Sequence, residues 1–367
     1  MKYINPFLTI FFIFILSFIV WAQPSPVLQR VIGLPPSQGK IQLVLSAVSK
    51  DICWGCNYTN TQFIRTTDGG TNWTVSTVTD DNNLVCEKIT AINADTAFVV
   101  LNGSSTTKGI YKTIDGGQTW ARYADAYNDA SSAPLQIYFF DSNHGVAVGN
   151  PSGGNWEIYT TSNCGTDWTR VPSANIPRPL SGEVAIYTGY TGSANGIDKS
   201  FWFGTFGPSE YGTSDRGKTW YVYRNILSHH PATVAFKDSL NGIAQYLSGL
   251  LSITSDGGHT WQKPVQLKFS SPSSLGLAYI KGTDNSYLMD AAYNKRLPNE
   301  PTNPGIAYSS DGGRTWKVIN KLPNQWPSFA PDGTGWSAGI NDSVYKWSAF
   351  LVKSTAVDTG FWHCAID

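Results

Sequence analysis

The stretch SSDGGRTW, Ser309 to Trp316, decides the fold because it recurs. TTDGGTNW runs from Thr66 to Trp73, TIDGGQTW from Thr113 to Trp120 and TSNCGTDW from Thr161 to Trp168. TSDRGKTW follows from Thr213 to Trp220 and TSDGGHTW from Thr254 to Trp261. Taken singly, an aspartate beside glycines and a tryptophan has the look of a catalytic loop. A catalytic aspartate is normally unique in its domain, whereas a phrase returning about every 50 residues marks a repeat architecture. Asp68, Asp115, Asp215, Asp256 and Asp311, with Asn163 in the third copy, are therefore read as structural residues, and no catalytic residue is assigned.

Each phrase belongs to a larger unit. Upstream lies a short β-rich run entered from a polar turn: DICWG at Asp51, TAFVV at Thr96, HGVAVG at His144, SFWFG at Ser200, NGIAQ at Asn241, SYLMD at Ser286 and TGWSAG at Thr334. Another apolar segment precedes most of these, among them IQLVLSAV at Ile41, LQIYFF at Leu135 and EVAIY at Glu183. A third strand enters the phrase and a fourth leaves it at the tryptophan. Four short strands rich in β-branched and aromatic residues, without helical periodicity, make a propeller blade. The expectation is an all-β chain folded as a single seven-bladed β-propeller over residues 23–349. The seventh unit has strands near 327–330, 336–339 and in DSVYKW, but no phrase follows them. VLQRVIGLP, Val27 to Pro35, resembles the fourth strands elsewhere, so this N-terminal strand is expected to complete the last blade and remove an open sheet edge. Residues 350–367 fit no blade.

Lysines and arginines number 26, as do aspartates and glutamates, and charged residues make up only 14% of the chain. That balance leaves no electrostatic footprint for nucleic acid or an anionic membrane. The N-terminus carries Lys2, the apolar run FLTIFFIFILSFIVW and small residues Val20 and Ala22 at signal-peptidase positions, so cleavage after Ala22 and export are expected. Export would deliver the chain to the periplasm, cell surface or medium, with no integral membrane segment left after cleavage. Five cysteines in an exported chain imply at least one disulfide and one thiol left over. Cys53 and Cys56 form a CxxC, but no second pair of cysteines or histidines completes a zinc set, and no cofactor or metal is expected. Cys56 ends one strand and Cys86 precedes another on the same face, so these two are the expected bridge, with the remaining thiols inert and buried.

In the phrase itself, paired glycines supply positive φ, the aspartate accepts hydrogen bonds from backbone N–H groups of the turn, and the Ser or Thr two residues earlier ties the other arm. Trp73, Trp120, Trp168, Trp220, Trp261 and Trp316 are expected to leave the turn as apolar anchors between sheets. Six copies of S/T-x-D-x-G-x-x-W identify the phrase as the Asp-box, also called the BNR repeat. Among propellers that carry it, the chain resembles the photosystem II stability/assembly factor family over nearly the whole mature length. That resemblance implies an exported, non-enzymatic binding or assembly role. Asp-box propellers are also found in glycoside hydrolases, sialidase-like or xyloglucanase-like, and this is the competing expectation.

Because propeller strands alternate in direction, the loops joining strands two to three and the blade-to-blade connections share the face opposite the Asp-boxes. A protein or glycan partner is expected there, bound by a monomer. Its loops carry Tyr123, Tyr127, Trp156, Arg178, Arg224, His229, His230, Tyr293 and Arg296 as candidate anchors. Away from the Asp-boxes the chain also has Asp141, Glu157, Glu183 and Glu210, the carboxylates from which hydrolysis would need a facing pair.

Overall fold

The computed structural model describes residues 26–31, 43–185, 194–224, 231–246, 250–263, 265–266, 276–290, 306–320, 324–339 and 343–347. The expected signal peptide, the tail from 350 to 367, and His229, His230, Tyr293 and Arg296 lie outside them. The described strands form seven four-stranded antiparallel sheets, each built from strands consecutive in the chain except at the closure. The first strands of the blades are Leu43–Ala47, Leu84–Ala91, Pro134–Phe139, Ala194–Ile197, Pro231–Phe236, Gly276–Tyr279 and Asn324–Phe329. Each touches the next, and the last touches the first, so they ring a common axis. Second strands are mostly buried, Cys53–Asn57 along its whole length, while the outermost strand Thr74–Thr77 is mostly exposed. The chain is a seven-bladed β-propeller.

Closure follows the sequence expectation. Pro26–Arg30 pairs antiparallel with Ser343–Trp347, Pro26 opposite Trp347 and Arg30 opposite Ser343, so blade seven joins the two ends of the ring. Side chains then fasten blade seven to blade one. The Ala47 N–H donates to Ser328 Oγ at 3.0 Å, the Lys50 N–H to Asp332 Oδ2 at 2.7 Å, and Lys346 Nζ to the Gly69 carbonyl at 3.1 Å.

Blade four corrects the sequence reading. EVAIY is not its innermost strand: Ala194–Ile197 pairs in full register with Ser200–Gly204, and among the described residues of the earlier segment only Ala185 bridges, to Thr205. Apolar composition favoured EVAIY, but turn chemistry favours ANGI, because Ile197 faces Ser200 across a two-residue turn in which Asp198 takes φ 52°. Gly196 fits this inner position because a side chain there would collide with Tyr138 of blade three.

The six hairpins share one hydrogen-bond pattern. Thr66 Oγ1 donates to Asp68 Oδ1 at 2.9 Å and accepts the Gly70 N–H at 2.9 Å, while Asp68 Oδ1 accepts the Asn72 N–H at 2.9 Å. The second carboxylate oxygen takes the Asn72 side-chain amide, or in later copies the hydroxyl of Thr119, Thr219, Thr260 or Thr315 at 2.6 Å. In Asp115 the Thr119 hydroxyl and N–H hold the pKa down to about 2. The third hairpin keeps the geometry with its polarity reversed. Asn163 Oδ1 accepts the Asp167 N–H, and its amide donates to Asp167 Oδ2 at 2.9 Å.

The hairpin tryptophans carry less of the packing than expected. Trp168 and Trp220 are buried, but Trp73, Trp120, Trp261 and Trp316 are only half-buried, since they leave the turn at the outer strand, where solvent reaches one side. The space between blades is filled instead by second-strand aromatics. Trp54, Phe98, Trp202 and Trp336 are at most 1% exposed. The indole N–H of Trp54 donates to the Asn93 carbonyl at 3.0 Å and that of Trp202 to the Gly257 carbonyl at 2.8 Å, each in the following blade. Arg65, Lys112 and Lys346 cover Trp54, Phe98 and Trp336 from the third strand.

Candidate interaction face

Backbone bonds separate the two ends of the propeller. On one, every hairpin is tied to the loop between strands one and two of its own blade: Gly69 to Asp51, Gly116 to Asp95, Cys164 to Asn143, Arg216 to Lys199, Gly257 to Leu240 and Gly312 to Asn285. On the other, blade-to-blade connections are tied to the loops between strands two and three, as in Val78 to Thr61, Cys86 to Asn60, Asn150 to Ala133 and Phe206 to Val184. The second is the loop face. Beneath it Cys56 and Cys86 form a disulfide that spans blades one and two, while Cys53 is a free, buried thiol. Burial pushes the Cys53 thiol up and leaves it unreactive.

The loops of blades two and three are pinned in place by buried and half-buried cations. Lys108, 5% exposed, donates from Nζ to the carbonyls of Ala130 and Ser132 at 3.0 and 2.6 Å. Arg122 holds the Lys108 carbonyl and Asn128 Oδ1. Asp81 accepts the hydroxyls of Ser105 and Thr107 and the Asn83 N–H, which together lower its pKa to about 2. The sequence singled out none of these three as organisers of loops. A lysine or arginine at a strand end carries no spacing signal, because its partners are backbone carbonyls.

The expected anchors divide. Tyr127 and Trp156 are buried rather than displayed: Tyr127 sits at φ 58° in space left by Gly149, and Trp156 packs edge-on against Phe203 and Tyr211. Aromatic bulk drew them inward. Tyr123 is half-buried, its hydroxyl on the Trp168 carbonyl at 3.1 Å. Arg178 and Arg224 are exposed and adjacent, Arg224 Nη2 donating to the Arg178 carbonyl at 2.8 Å, beside Leu180 at 43% exposure.

Three of the four carboxylates are engaged locally, and the fourth is buried. Asp141 belongs to the hairpin face, where it accepts the His144 ring and pairs with Arg216 at 3.1 Å. Glu183 accepts the Thr205 hydroxyl at 2.7 Å and the Leu180 N–H at 2.9 Å. Glu157 accepts the Tyr159 hydroxyl at 3.1 Å. Glu210 is 4% exposed, opposite Gly204 and Tyr223 on its neighbouring strands, and its Oε1 has no hydrogen-bond partner among the described residues.

Burial pushes the Glu210 pKa well above its ordinary value of 4.5. The raised value means that the folded state holds this proton more tightly than the unfolded chain, so its contribution to stability is complete below 4.5 and is lost as pH rises towards the folded pKa. Glu210→Gln removes that loss. The thermal midpoint of the variant should match the parent near pH 4 and exceed it increasingly towards pH 8. Parallel midpoint curves across that range would contradict a buried neutral acid.

No protein-family model and no curated protein matches the sequence. Solved structures do. The fold resembles that of YCF48. YCF48 bound to a D1 peptide superposes with a TM-score of 0.63 at 16% identity, over 90% of this chain and 97% of that one. YCF48 from Cyanidioschyzon merolae gives 0.63 at 16%, over 87% and 98%. A GH74 xyloglucanase from Xanthomonas campestris gives 0.58 at 13%, covering 86% of this chain but only 53% of the enzyme. At these identities the likeness establishes the propeller fold, and the chain spans about half of the xyloglucanase.

Proposed function

We propose that this is an exported, non-enzymatic binding propeller, assembly-factor-like, which offers its loop face to a segment of another protein. The observation that carries this reading is the state of the carboxylates. Glycoside hydrolysis needs two of them facing a sugar at about 5 to 9 Å, whereas Glu183 and Glu157 are held by hydroxyls of their own surroundings and Glu210 is sealed inside its blade. The xyloglucanase neighbour is about twice as long as the matched region, so the match covers only about half of that enzyme. A propeller of the same fold in complex with a peptide supports a protein partner. A glycan ligand on the same face is the second form of the proposal. The exposed Arg178, Arg224 and Leu180 offer charge and apolar surface for either.

Peptide and glycan arrays probed with the purified protein test this, alongside turnover assays on xyloglucan oligosaccharides and fluorogenic sialosides. Saturable binding that Arg178→Glu with Arg224→Glu weakens at least about tenfold, without turnover, is the expected result. Turnover abolished by Glu183→Gln or Glu157→Gln would establish the hydrolase instead.

A further inference from the structure

The seven first strands ring the axial channel, and in sequence they are almost free of charge: only Glu87 and Lys88, both in Leu84–Ala91, are ionisable as acid or base. Glu87 occupies a bulge between Cys86 and Lys88, is 8% exposed and accepts the Asn102 amide at 3.2 Å. Lys88 is half-buried and has no hydrogen bond or ion pair with any described residue. It lies on an innermost strand, so the solvent that reaches it is the solvent of the channel. Gln136 and Thr233 follow the same irregularity in blades three and five, but both are neutral and 1% exposed. We propose that the axial channel is a binding site for a carboxylate, anchored by the Lys88 ammonium.

The fold itself gains nothing from a cation at this place. Burial alone lowers the Lys88 pKa to about 8, with no charged neighbour contributing. A base whose folded pKa is depressed costs stability as pH falls from 10.5 through about 8, and the cost persists below that. A carboxylate beside Lys88 would offset it by holding the proton in place. One ammonium in an uncharged ring also matches a single negative charge better than a phosphate dianion.

A second cation marks the channel rim on the hairpin face. Lys281 begins the loop after the first strand of blade six, is exposed, and is left free because Thr283 Oγ1 accepts the Ser286 N–H that closes the turn. Asn93, its counterpart in blade two, is engaged by the N–H groups of Asp95 and Thr96. Burial lowers the Lys281 pKa although solvent reaches the side chain, which places it in a concavity. Two cations with no described carboxylate acting on either raise the local concentration of anions.

Trace acetylation of the purified protein with acetic anhydride, read lysine by lysine by mass spectrometry, tests the site. Without ligand, Lys88 should reach half of its full reactivity near pH 8, whereas an ordinary lysine does so at about 10.4. Propionate, a blocked glutamate-containing peptide, its glutamine counterpart and inorganic phosphate are then added in turn. A carboxylate should slow acetylation of Lys88 about tenfold at about pH 7, as a rise of about one unit in its pKa requires, and leave other lysines unchanged. Protection by propionate makes the ligand a free small acid. Protection by the glutamate peptide, but by neither propionate nor the glutamine peptide, makes it an acidic side chain of a partner. The inference stands apart from the loop-face reading, since propionate probes the channel alone. Lys88→Met should keep the parental circular dichroism, melt no lower than the parent at about pH 7 and lose carboxylate binding measured by calorimetry about tenfold or more, while Lys88→Arg retains it. The proposal fails if neither carboxylate protects Lys88, if phosphate protects it at least as well, or if Lys88→Met binds as the parent does.

Discussion

Gly117→Ala should lower stability by about 2 to 4 kcal/mol, the larger part from packing and the rest from backbone. Gly117 adopts φ +88°, where an L side chain costs about 1 kcal/mol or more. Its added Cβ would lie 2.4 Å from Phe63 Cζ and 2.7 Å from Cε2. Phe63 is fully buried in the preceding blade, with ring centroids 5.7 Å from Trp54 and 5.4 Å from Trp120, so it cannot retreat without disturbing both indoles. Overpacking of this kind costs about 1 to 3 kcal/mol. In a chain of this size the sum should appear as a fall of roughly 3 to 6 °C in the thermal midpoint. Gly153→Ala is the matched control, since Gly153 is also in positive φ, at +60°, but has no atom within 4 Å of an added Cβ. It should cost only about 1 kcal/mol. If the two variants melt together, the hairpin glycines serve backbone conformation alone and do not key one blade to the next.

That distinction bears on how much the sequence disclosed. The hairpin phrase repeats so closely because three demands fall on few residues. The Asp and Thr close the turn, the first glycine supplies positive φ, and the second must both turn the chain and lie flat against the previous blade. Gly117 meets Phe63 there, Gly165 meets Phe98, Gly258 meets Trp202 and Gly313 meets Ile243. Such overlapping constraints leave a fixed signature, so blade number, ring closure and the two faces were legible. Where a single demand can be met by many sequences, legibility failed. The inner strand of blade four needs only to pair with Ser200–Gly204, and ANGI does so with little hydrophobicity. Tyr127 and Trp156 sit at loop boundaries, and neighbours in sequence could not reveal that Gly149, Phe203 and Tyr211 make room for them inside. The candidate face suffered most, because its order comes from Lys108 and Arg122 reaching carbonyls 14 to 24 residues away, a pattern with no motif.

Removal of the Cys56–Cys86 bridge by Cys56→Ala with Cys86→Ala should cost about 3.5 kcal/mol. The bond closes a sequence separation of 30 residues, and the loss of loop-closure entropy in the unfolded chain at that length is worth about that much. The location adds to the effect. Cys86 lies in the first strand of blade two, whose backbone N–H also bonds the Asn60 carbonyl in blade one, so the bridge fastens a junction that must hold for the inner ring to stay closed. Both cysteines are wholly buried and border the largest core cluster, so alanine leaves small voids there as well. Denaturant unfolding under oxidising conditions measures the cost. Burial also predicts a kinetic signature: dithiothreitol should leave the native bridge untouched for as long as the protein stays folded, and reduction should track global unfolding. Rapid reduction of Cys56 and Cys86 in a protein that keeps its native circular dichroism would show instead that the loop face opens locally at the junction of blades one and two, and the same opening would then have to accompany any ligand bound there.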